Sequence, residues 1–412
     1  MRHWLVLLHR YVGLLLAGFL LITGLTGAII SWDHELDDVL NPHLMAATST
    51  GSSKNPLELA TELEQRYPQI KITFFTLQAE SGKSLMFWAE PAQDAKTGAL
   101  TQPGFNQIFV DPVSGQELGK REWGAVWPIS SENLVSFLYK LHYSLHIPAF
   151  WGSDRWGVWL LGVIALIWTI DCFTGALLTF PARRRASANP AKPVTQPKKS
   201  WFARWKPAWK IRWGSGPYKI NFDLHRAGSL WTWGLLFIVA FTAFSLNLYR
   251  EVFFPAMSLV SDVTPTPFDT RTPASIAHQP KLNAPAAVAA ASVEAVQRQW
   301  TAPAGSVFYD RWTNVYAIAF YRPDDDHGAG GVGHPQLYLD GDSGQILGAK
   351  QPWQGSAADV FVQAQFPLHS GRILGLPGRI MMSIFGLIVA MLSVTGVYIW
   401  WKKHRGRQKK HD

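Results

Sequence analysis

Four histidines recur in equivalent places along this chain, each beside a long apolar run. His9 and His225 open the first and third runs within matching Leu-His-Arg tripeptides, and His142 and His369 precede the second and fourth runs within Leu-His pairs. Imidazole is a common ligand of metals and of haem iron. Their placement at the ends of apolar helices predicts metal centres there, with haem iron favoured.

Each apolar run is long enough to cross a bilayer as a helix, which takes about 20 residues. The runs cover about 11–31, 156–180, 228–249 and 376–401. Lys and Arg are concentrated between residues 181 and 226 and after residue 401. Because such charge stays on the cytoplasmic side, both termini and the central loop are predicted to be cytoplasmic. A cleaved secretory signal is the alternative for the first run, but no clear small-residue cleavage site follows it.

The chain is one unit used twice, as an alignment of His9 with His225 reveals. Two spans per unit give both copies one orientation about an axis along the membrane normal. Equivalent residues then face each other at one depth, so His9 is predicted to pair with His225 near the cytoplasmic face and His142 with His369 near the outer face. Further matches are Arg10 with Arg226, Gly18 with Gly234, Thr26 with Thr242, Glu35 with Glu251, and Thr174-Gly175 with Thr395-Gly396.

Each predicted level offers two clear histidines, whereas a closed zinc site takes four nitrogen or sulfur ligands. The sequence therefore predicts two b-type haems, with His9, His225, His142 and His369 as axial ligands of the iron. Glycines recur along the spans, and they have two interpretations: close helix packing, or a slot for a macrocycle. They are Gly13, Gly18, Gly24 and Gly27 in the first span and Gly157, Gly162 and Gly175 in the second.

Two further residues are candidates for the site. His146 lies four residues after His142, so a helix would put both on one face. His146 is either the outer haem ligand in place of His142 or part of an outer substrate site. Asp171 lies inside the second span, and a membrane-embedded acid is a functional hypothesis by default. It is interpreted as part of a proton relay or as a contact of a haem propionate, with a hydrogen bond to a hydroxyl of a neighbouring helix as the structural alternative. Its repeat partner is Leu392.

The two outer segments also match each other. The run from Asp111 to Gly119 corresponds to the run from Asp340 to Gly348, and each predicts a tight turn between two strands. Helix candidates at 56–66 and 284–299 precede alternating strand-like stretches. Each outer segment is therefore predicted to be a small α+β domain inserted between two spans.

The predicted fold is a membrane α-helical protein: a four-helix transmembrane bundle built from two parallel two-helix repeats, each with an inserted small α+β periplasmic domain. The predicted divisions are a first span at 1–34, an outer domain at 35–135, an outer His segment with the second span at 136–182, a basic cytoplasmic loop at 183–224, a third span at 225–252, a second outer domain at 253–365, an outer His segment with the fourth span at 366–404, and a tail at 405–412.

Other features limit the possible functions. The net charge of +9 is concentrated beside the spans, so membrane lipid rather than nucleic acid is the expected partner. A single cysteine, Cys172, excludes an intrachain disulfide. The tryptophan-containing stretch Lys199–Arg212 suits a helix on the inner leaflet. The acidic loop Pro323–Gly331 is interpreted as a solvated hairpin tip, with a cation site as the alternative. No nucleotide-binding or Ser/His/Asp motif is evident.

These elements resemble the PepSY-associated transmembrane family. The resemblance rests on the Leu-His-Arg opening with its glycine-rich span, the two Leu-His elements at His142 and His369, and the Asp-x-x-Ser-Gly hairpins, and it extends to about residue 405. Within that family the chain looks most like the FoxB-type siderophore-iron reductases. The resemblance implies a haem-bearing four-helix bundle with periplasmic PepSY-like domains. It also implies reduction of the ferric iron of an imported siderophore and its release as Fe(II), with the four motif histidines as haem ligands.

The combined prediction is a multi-pass oxidoreductase of a bacterial inner membrane, a haem-dependent ferric-siderophore reductase. Its electron donor is either quinol in the bilayer or a cytoplasmic reductant. Reduction loosens the complex because Fe(III) is held by hard oxygen ligands that bind Fe(II) less tightly. Two alternatives are a non-enzymatic PepSY module that regulates a peptidase and a transporter for iron or its siderophore.

Overall fold

The computed structural model describes residues 2–94, 96–182, 199–274, 278–323, 325 and 327–408. Residues 183–198 of the predicted cytoplasmic loop lie outside the described residues, as do Asp324, Asp326 and the last four residues of the tail. In chain order the helices are α1 (Arg2–Ile30), α2 (Asp33–Leu40), α3 (Pro42–Met45), α4 (Pro56–Arg66), α5 (Ser131–Ser144), α6 (Trp156–Thr179), α7 (Trp201–Trp205), α8 (Pro217–Trp231), α9 (Trp233–Asn247), α10 (Phe254–Val260), α11 (Pro267–Thr270), α12 (Ala284–Gln297), α13 (Ala357–Gln363), α14 (Gln365–Ser370) and α15 (Gly375–Gln408). The strands are β1 (Ile70–Thr76), β2 (Leu85–Pro91), β3 (Gln107–Val110), β4 (Glu117–Arg121), β5 (Ala304–Asp310), β6 (Val315–Phe320), β7 (Gln336–Asp340) and β8 (Ile346–Lys350).

The chain divides into two compact units. The helical unit consists of Met1–Ser31, Leu141–Phe253 and Arg379–Asp412. The sheet unit consists of Trp32–Lys140 and Phe254–Gly378, the two segments predicted to lie outside the membrane. Each unit therefore draws on both copies of the repeat.

Three helical stretches among the described residues are long and apolar enough to cross a membrane. They are Arg2–Ile30, Trp156–Thr179 and Arg372–Gly406. The third predicted span is not one straight helix, because α8 and α9 meet at an angle of 72°. Thr232 leaves the helical conformation at this break, and its N–H and hydroxyl both donate to the Gly228 carbonyl. Counting the bent pair as one span gives four.

The spans pack through small residues and a shared apolar cluster. A Cβ built on Gly24 in α1 would lie 2.7 Å from the backbone oxygen of Gly386 in α15, so the two backbones are in direct contact. This contact supports the packing interpretation for Gly24. Helices α6, α9 and α15 share buried side chains that include Cys172, Val239 and Phe385.

A short basic segment precedes the bent pair. Helix α7 ends at Trp205, and a 3₁₀ turn follows over Lys206–Trp209. The sequence predicted a single helix in this segment. The fully buried carboxylate of Asp223 in α8 accepts hydrogen bonds from Arg212 and Arg226. These contacts tie the segment to the helix that carries His225.

The sheet unit contains one antiparallel sheet of eight strands in the order β4-β3-β2-β1-β5-β6-β7-β8. The two outer segments, expected to form two small domains, each contribute four strands to this sheet. They are joined by pairing of β1 with β5, in which Phe74 lies opposite Phe308. Without this pairing, β1 and β5 would each be an edge strand with unpaired backbone N–H and C=O groups. Pairing the two strands gives these groups hydrogen-bond partners.

Helices α4 and α12 cover one face of the sheet, as the repeat requires. Both were predicted from the sequence, at 56–66 and 284–299, and both are confirmed. Leu59 and Leu63 of α4, together with Ala287 and Ala291 of α12, are buried against the aromatic and aliphatic residues of the strands. The small alanines let α12 approach the sheet closely.

The predicted hairpins are present and share one turn chemistry. Asp111 accepts hydrogen bonds from the backbone N–H groups of Val113 and Ser114, and Asp340 accepts the equivalent bonds from Asp342 and Ser343. Burial opposes ionisation of both carboxyls, but these donors outweigh it and hold the pKa of Asp111 and of Asp340 well below the usual range. The repeated Asp thus stabilises each turn as a carboxylate.

We expect Arg121→Ala to destabilise the sheet unit by about 3–5 kcal/mol, because it removes one partner of a buried ion pair. The Arg121 side chain is only 4% exposed and forms a two-pronged pair with Asp37 at 2.8 and 2.6 Å. It also donates to Gln107 of β3 and to the Glu132 carbonyl. Chemical denaturation of the purified protein measures the loss.

The matched control is Arg66→Ala, which removes an exposed pair with Glu117 at 3.5 Å. Surface pairs are worth about 0–1 kcal/mol, so the control should change stability little. An equal effect of the two substitutions would contradict the assignment of Arg121 as a buried anchor.

Candidate functional site

A cavity of about 430 Å³ lies within the helical unit. Its size is in the range of about 300–1,000 Å³ that is usual for small-molecule and cofactor sites. His9 of α1 and His225 of α8 line it, and their ring centroids are 6.2 Å apart with planes inclined by 54°. The structure therefore brings together the two histidines that the sequence repeat paired.

His9 is oriented by an acid from a second helix. Its Nδ1 lies 2.9 and 3.0 Å from the two carboxylate oxygens of Asp171 in α6. Thr174, one turn further along α6, donates its hydroxyl to Asp171 at 2.5 Å. Because Nδ1 is used in this contact, Nε2 is the ring nitrogen that His9 offers to a metal.

His225 is oriented in the same way by different atoms. Its Nδ1 donates to the backbone carbonyl of Leu392 at 3.0 Å and lies 3.2 Å from the Thr395 hydroxyl. Leu392 and Thr395 are the repeat partners of Asp171 and Thr174. Both histidines therefore hold Nδ1 on the protein and offer Nε2.

Glycines of the repeated Thr-Gly pairs lie against the two rings. A Cβ on Gly175 would come within 3.3 Å of His9 Cε1, and a Cβ on Gly396 would come within 3.2 Å of His225 Cε1. Any side chain at either position would crowd the ring beside it. The recurrence of Thr174-Gly175 and Thr395-Gly396 thus has a physical reason, because the glycine of each pair leaves space for one histidine ring.

The cavity has charged residues as well as an apolar lining. Arg2, Arg10, Arg226 and Lys403 line it. Aromatic and aliphatic walls complete it, with Trp168, Phe222, Trp233, Leu236 and Val389 among them. Such a set suits a flat apolar ligand with anionic groups, since the cations offset the charge that the apolar walls disfavour.

These residues fit a haem. A metal–imidazole bond of about 2 Å on each side of one ion places the two ring centroids roughly 6 Å apart, which agrees with the His9–His225 separation. Two histidines with engaged Nδ1 atoms and an apolar cavity that also has basic side chains match a porphyrin with two carboxylates. In the described part of the chain, no group of three or more His, Cys, Asp and Glu side chains is arranged to hold a metal ion by itself.

His142 lies at a second level of the helical unit. Its Nδ1 is 3.1 Å from the Thr26 hydroxyl, and a Cβ on Gly27 would come within 3.0 Å of its Cε1. Gly27 follows His9 by eighteen residues of continuous helix, which is roughly 27 Å along the axis. The structure therefore places His9 and His142 at two separate levels along α1.

His146 does not share a helical face with His142. Helix α5 ends at Ser144, and both Leu145 and His146 adopt positive φ values, 55° and 53°. The predicted i,i+4 relation is wrong because it required the helix to continue. His369 lies in the last turn of α14, in the sheet unit. Its pairing with His142 stays a prediction from the repeat.

Sequence reasoning singled out Asp171 but missed its partner. The structure places it against His9 and the Thr174 hydroxyl, and its expected part in a proton relay or against a haem propionate stays a prediction. The signal was its position three residues before a Thr-Gly pair that recurs at the end of the fourth span. The carbonyl of Leu392 carries no sequence signal at all.

The acidic loop Pro323–Gly331 is described in part. Asp325 Oδ2 lies 3.5 Å from His334 Nδ1, and the His327 ring lies 5.4 Å from that of His34. Asp324 and Asp326 lie outside the described residues.

The model of the PepSY-associated TM region matches residues 6–403, nearly the whole chain. Among curated proteins, none matches the sequence significantly. The match includes the three long apolar helices, the bent pair α8–α9 and both segments of the sheet unit. With its apolar helices, its repeated Leu-His elements and its paired hairpins, the chain belongs to the PepSY-associated transmembrane family and is a membrane protein.

Proposed function

We propose that this protein is a haem-dependent oxidoreductase of a bacterial inner membrane that reduces the ferric iron of siderophores in the periplasm. The observation that carries the proposal is the pair of His9 and His225. The two rings line one apolar cavity, and the Nδ1 atom of each is bound by the protein. Histidines that bind a metal almost always have their other ring nitrogen engaged by the protein, and histidine is a common ligand of haem iron.

The membrane arrangement follows from the charge distribution. The bent pair α8–α9 crosses as one span, which makes four spans and a four-helix bundle. Arg2, Arg10, Arg226 and Lys403 line the cavity of His9 and His225, so this level is the cytoplasmic one. Both termini are cytoplasmic, and the sheet unit is periplasmic. The electron donor is quinol in the bilayer or a cytoplasmic reductant.

Each residue of the cavity has a role that its contacts support. His9 and His225 would hold the iron of one b-type haem, Asp171 and the Leu392 carbonyl orient the two rings, and Gly175 and Gly396 leave room for them. The basic residues that line the cavity would bind the propionates, with Arg226 also paired to Asp223. A bound haem supplies one-electron redox chemistry at a potential that these ligands set.

A second haem would be held by His142, with His369 as the partner that the sequence repeat assigns. The contact of His142 Nδ1 with Thr26 supports this assignment, because it again fixes one ring nitrogen on the protein. Two haems at different depths of the membrane would form a path for electrons from one face to the other. The PepSY-like sheet unit is the expected docking region for the ferric siderophore.

Reduction has a direct consequence for the substrate. Siderophores hold Fe(III) with hard oxygen ligands, and one electron converts it to Fe(II), for which the same ligands have lower affinity. The iron is then released without chemical damage to the siderophore. The protein contributes the path and the docking surface.

The test is a single-turnover experiment on the purified, haem-loaded protein. The protein is reduced with a stoichiometric amount of dithionite and mixed anaerobically with a ferric trihydroxamate or ferric catecholate in the presence of an Fe(II) chelator. We expect the reduced b-type absorbance to disappear while an equal amount of Fe(II) chelate forms. The gallium(III) form of the same siderophore is the matched control, because it binds alike but does not accept an electron.

Two results would contradict the proposal. A preparation without a Soret band would exclude the haem protein and favour a regulatory PepSY module. A reduced protein that keeps its absorbance with every ferric siderophore tested would exclude the reductase activity.

A further inference from the structure

Asp171 is an acid within a membrane-spanning helix, and it is only 8% exposed. Placing a carboxyl at such a position costs several kcal/mol unless it is paired and hydrogen-bonded. Its partners in the structure are the His9 ring and the Thr174 hydroxyl. The acid is therefore held against one specific histidine of the cavity.

The second copy of the repeat shows what the fold needs at this position. Leu392 stands at the equivalent place in α15, and His225 bonds to its backbone carbonyl instead. Gly396 lies against His225 as Gly175 lies against His9. The fold can therefore hold a histidine in this orientation without an acid. Packing and orientation of the ring alone do not explain why Asp171 is present.

The two acceptors differ in chemistry. A carboxylate is a stronger hydrogen-bond acceptor than a neutral carbonyl, and the bond it receives is shorter and stronger. A histidine that donates Nδ1–H to a carboxylate becomes a more basic ligand through its other nitrogen. A more electron-rich axial ligand and a nearby negative charge both stabilise the oxidised form of a haem.

We propose that Asp171 is a positioning residue that makes His9 the more electron-donating ligand of the pair and so lowers the reduction potential of the haem in this cavity. The inference rests on the proposed function, since it assumes a haem between His9 and His225. The difference between Asp171 in one copy of the repeat and Leu392 in the other then serves to set the reduction potential of the haem. With Asp171 present, the cytoplasmic haem is a stronger reductant than it would be if backbone carbonyls oriented both histidines.

The test is a redox titration of the purified holoprotein followed by its absorbance. In Asp171→Asn the amide oxygen still accepts the hydrogen bond from His9 Nδ1, but the negative charge is lost. We expect both haems to remain bound, one of the two titration waves to move to a more positive potential, and the other wave to stay in place. Asp154→Asn is the matched control, because Asp154 is an exposed acid of the same unit that does not line the cavity.

A haem-loaded Asp171→Asn variant with both waves unshifted would overturn the inference and leave the proposed function intact. Absence of haem from the unaltered protein would instead overturn the proposed function. If Asp171→Asn does not retain the haem, Asp171→Glu decides. Retention with an unshifted wave supports the inference, whereas loss from both variants overturns it in favour of a packing role.

Discussion

Purified His225→Ala is expected to contain about half the haem of the unaltered protein. If a haem lies between His9 and His225 as proposed, the substitution removes one of its two ligands, and the haem loses one of its two bonds to the protein. The ring centroids of His225 and His9 are 6.2 Å apart, the separation expected for two ligands of one centre. Haem per chain, measured as the pyridine haemochrome, gives the result directly.

The double variant makes this prediction sharper. If His9 and His225 hold one haem as proposed, His9→Ala/His225→Ala should lose no more haem than either single variant, and the remaining half should belong to the level of His142. Loss of all haem from the double variant would indicate that each histidine serves a different centre. His3→Ala is the control, because His3 is an exposed residue of the same helix as His9 and does not line the cavity.

Gly24→Val is expected to destabilise the helical unit by about 1–3 kcal/mol or more, the cost of overpacking a tight contact. A Cβ at Gly24 would lie 2.7 Å from the Gly386 carbonyl oxygen and 3.3 Å from the Ala390 backbone nitrogen. Both are backbone atoms, so the strain cannot be relieved by rotation of a side chain. Helices α1 and α15 must separate instead.

This substitution should also lower haem retention, since α1 carries His9 and α15 carries the carbonyl that orients His225. Thermal unfolding in detergent, followed by size-exclusion chromatography and by Soret absorbance, measures both effects. Gly18→Val is the matched control in the same helix, because a Cβ at Gly18 meets nothing within 4 Å. Equal melting temperatures for the two variants would show that the α1–α15 contact does not contribute to stability.

The repeated motifs made much of the chain predictable. Apolar length identified three spans and the region of the bent pair, while the helices at 56–66 and 284–299 and the Asp-based hairpins were recognised from their local patterns. The pairing of His9 with His225 also came from the sequence, because two copies in one orientation place equivalent residues face to face. These features depend on residues close in the chain or on symmetry between copies.

Other features were decided only in three dimensions. Asp171 contacts His9 across 162 positions of sequence, and no spacing rule connects them. The two outer segments form one sheet because unpaired edges of β1 and β5 meet, which neither strand pattern specifies alone. The end of α5 at Ser144 removed His146 from the face of His142.

By itself, therefore, the sequence determined the membrane spans, the duplication and the histidines that recur with it, since periodicity and repetition are properties of the chain. Tertiary structure decided which atom orients each histidine. The orienting atom depends on how separate helices pack together. A carboxylate binds the histidine in one copy of the repeat, and a backbone carbonyl, which no sequence pattern reveals, binds it in the other.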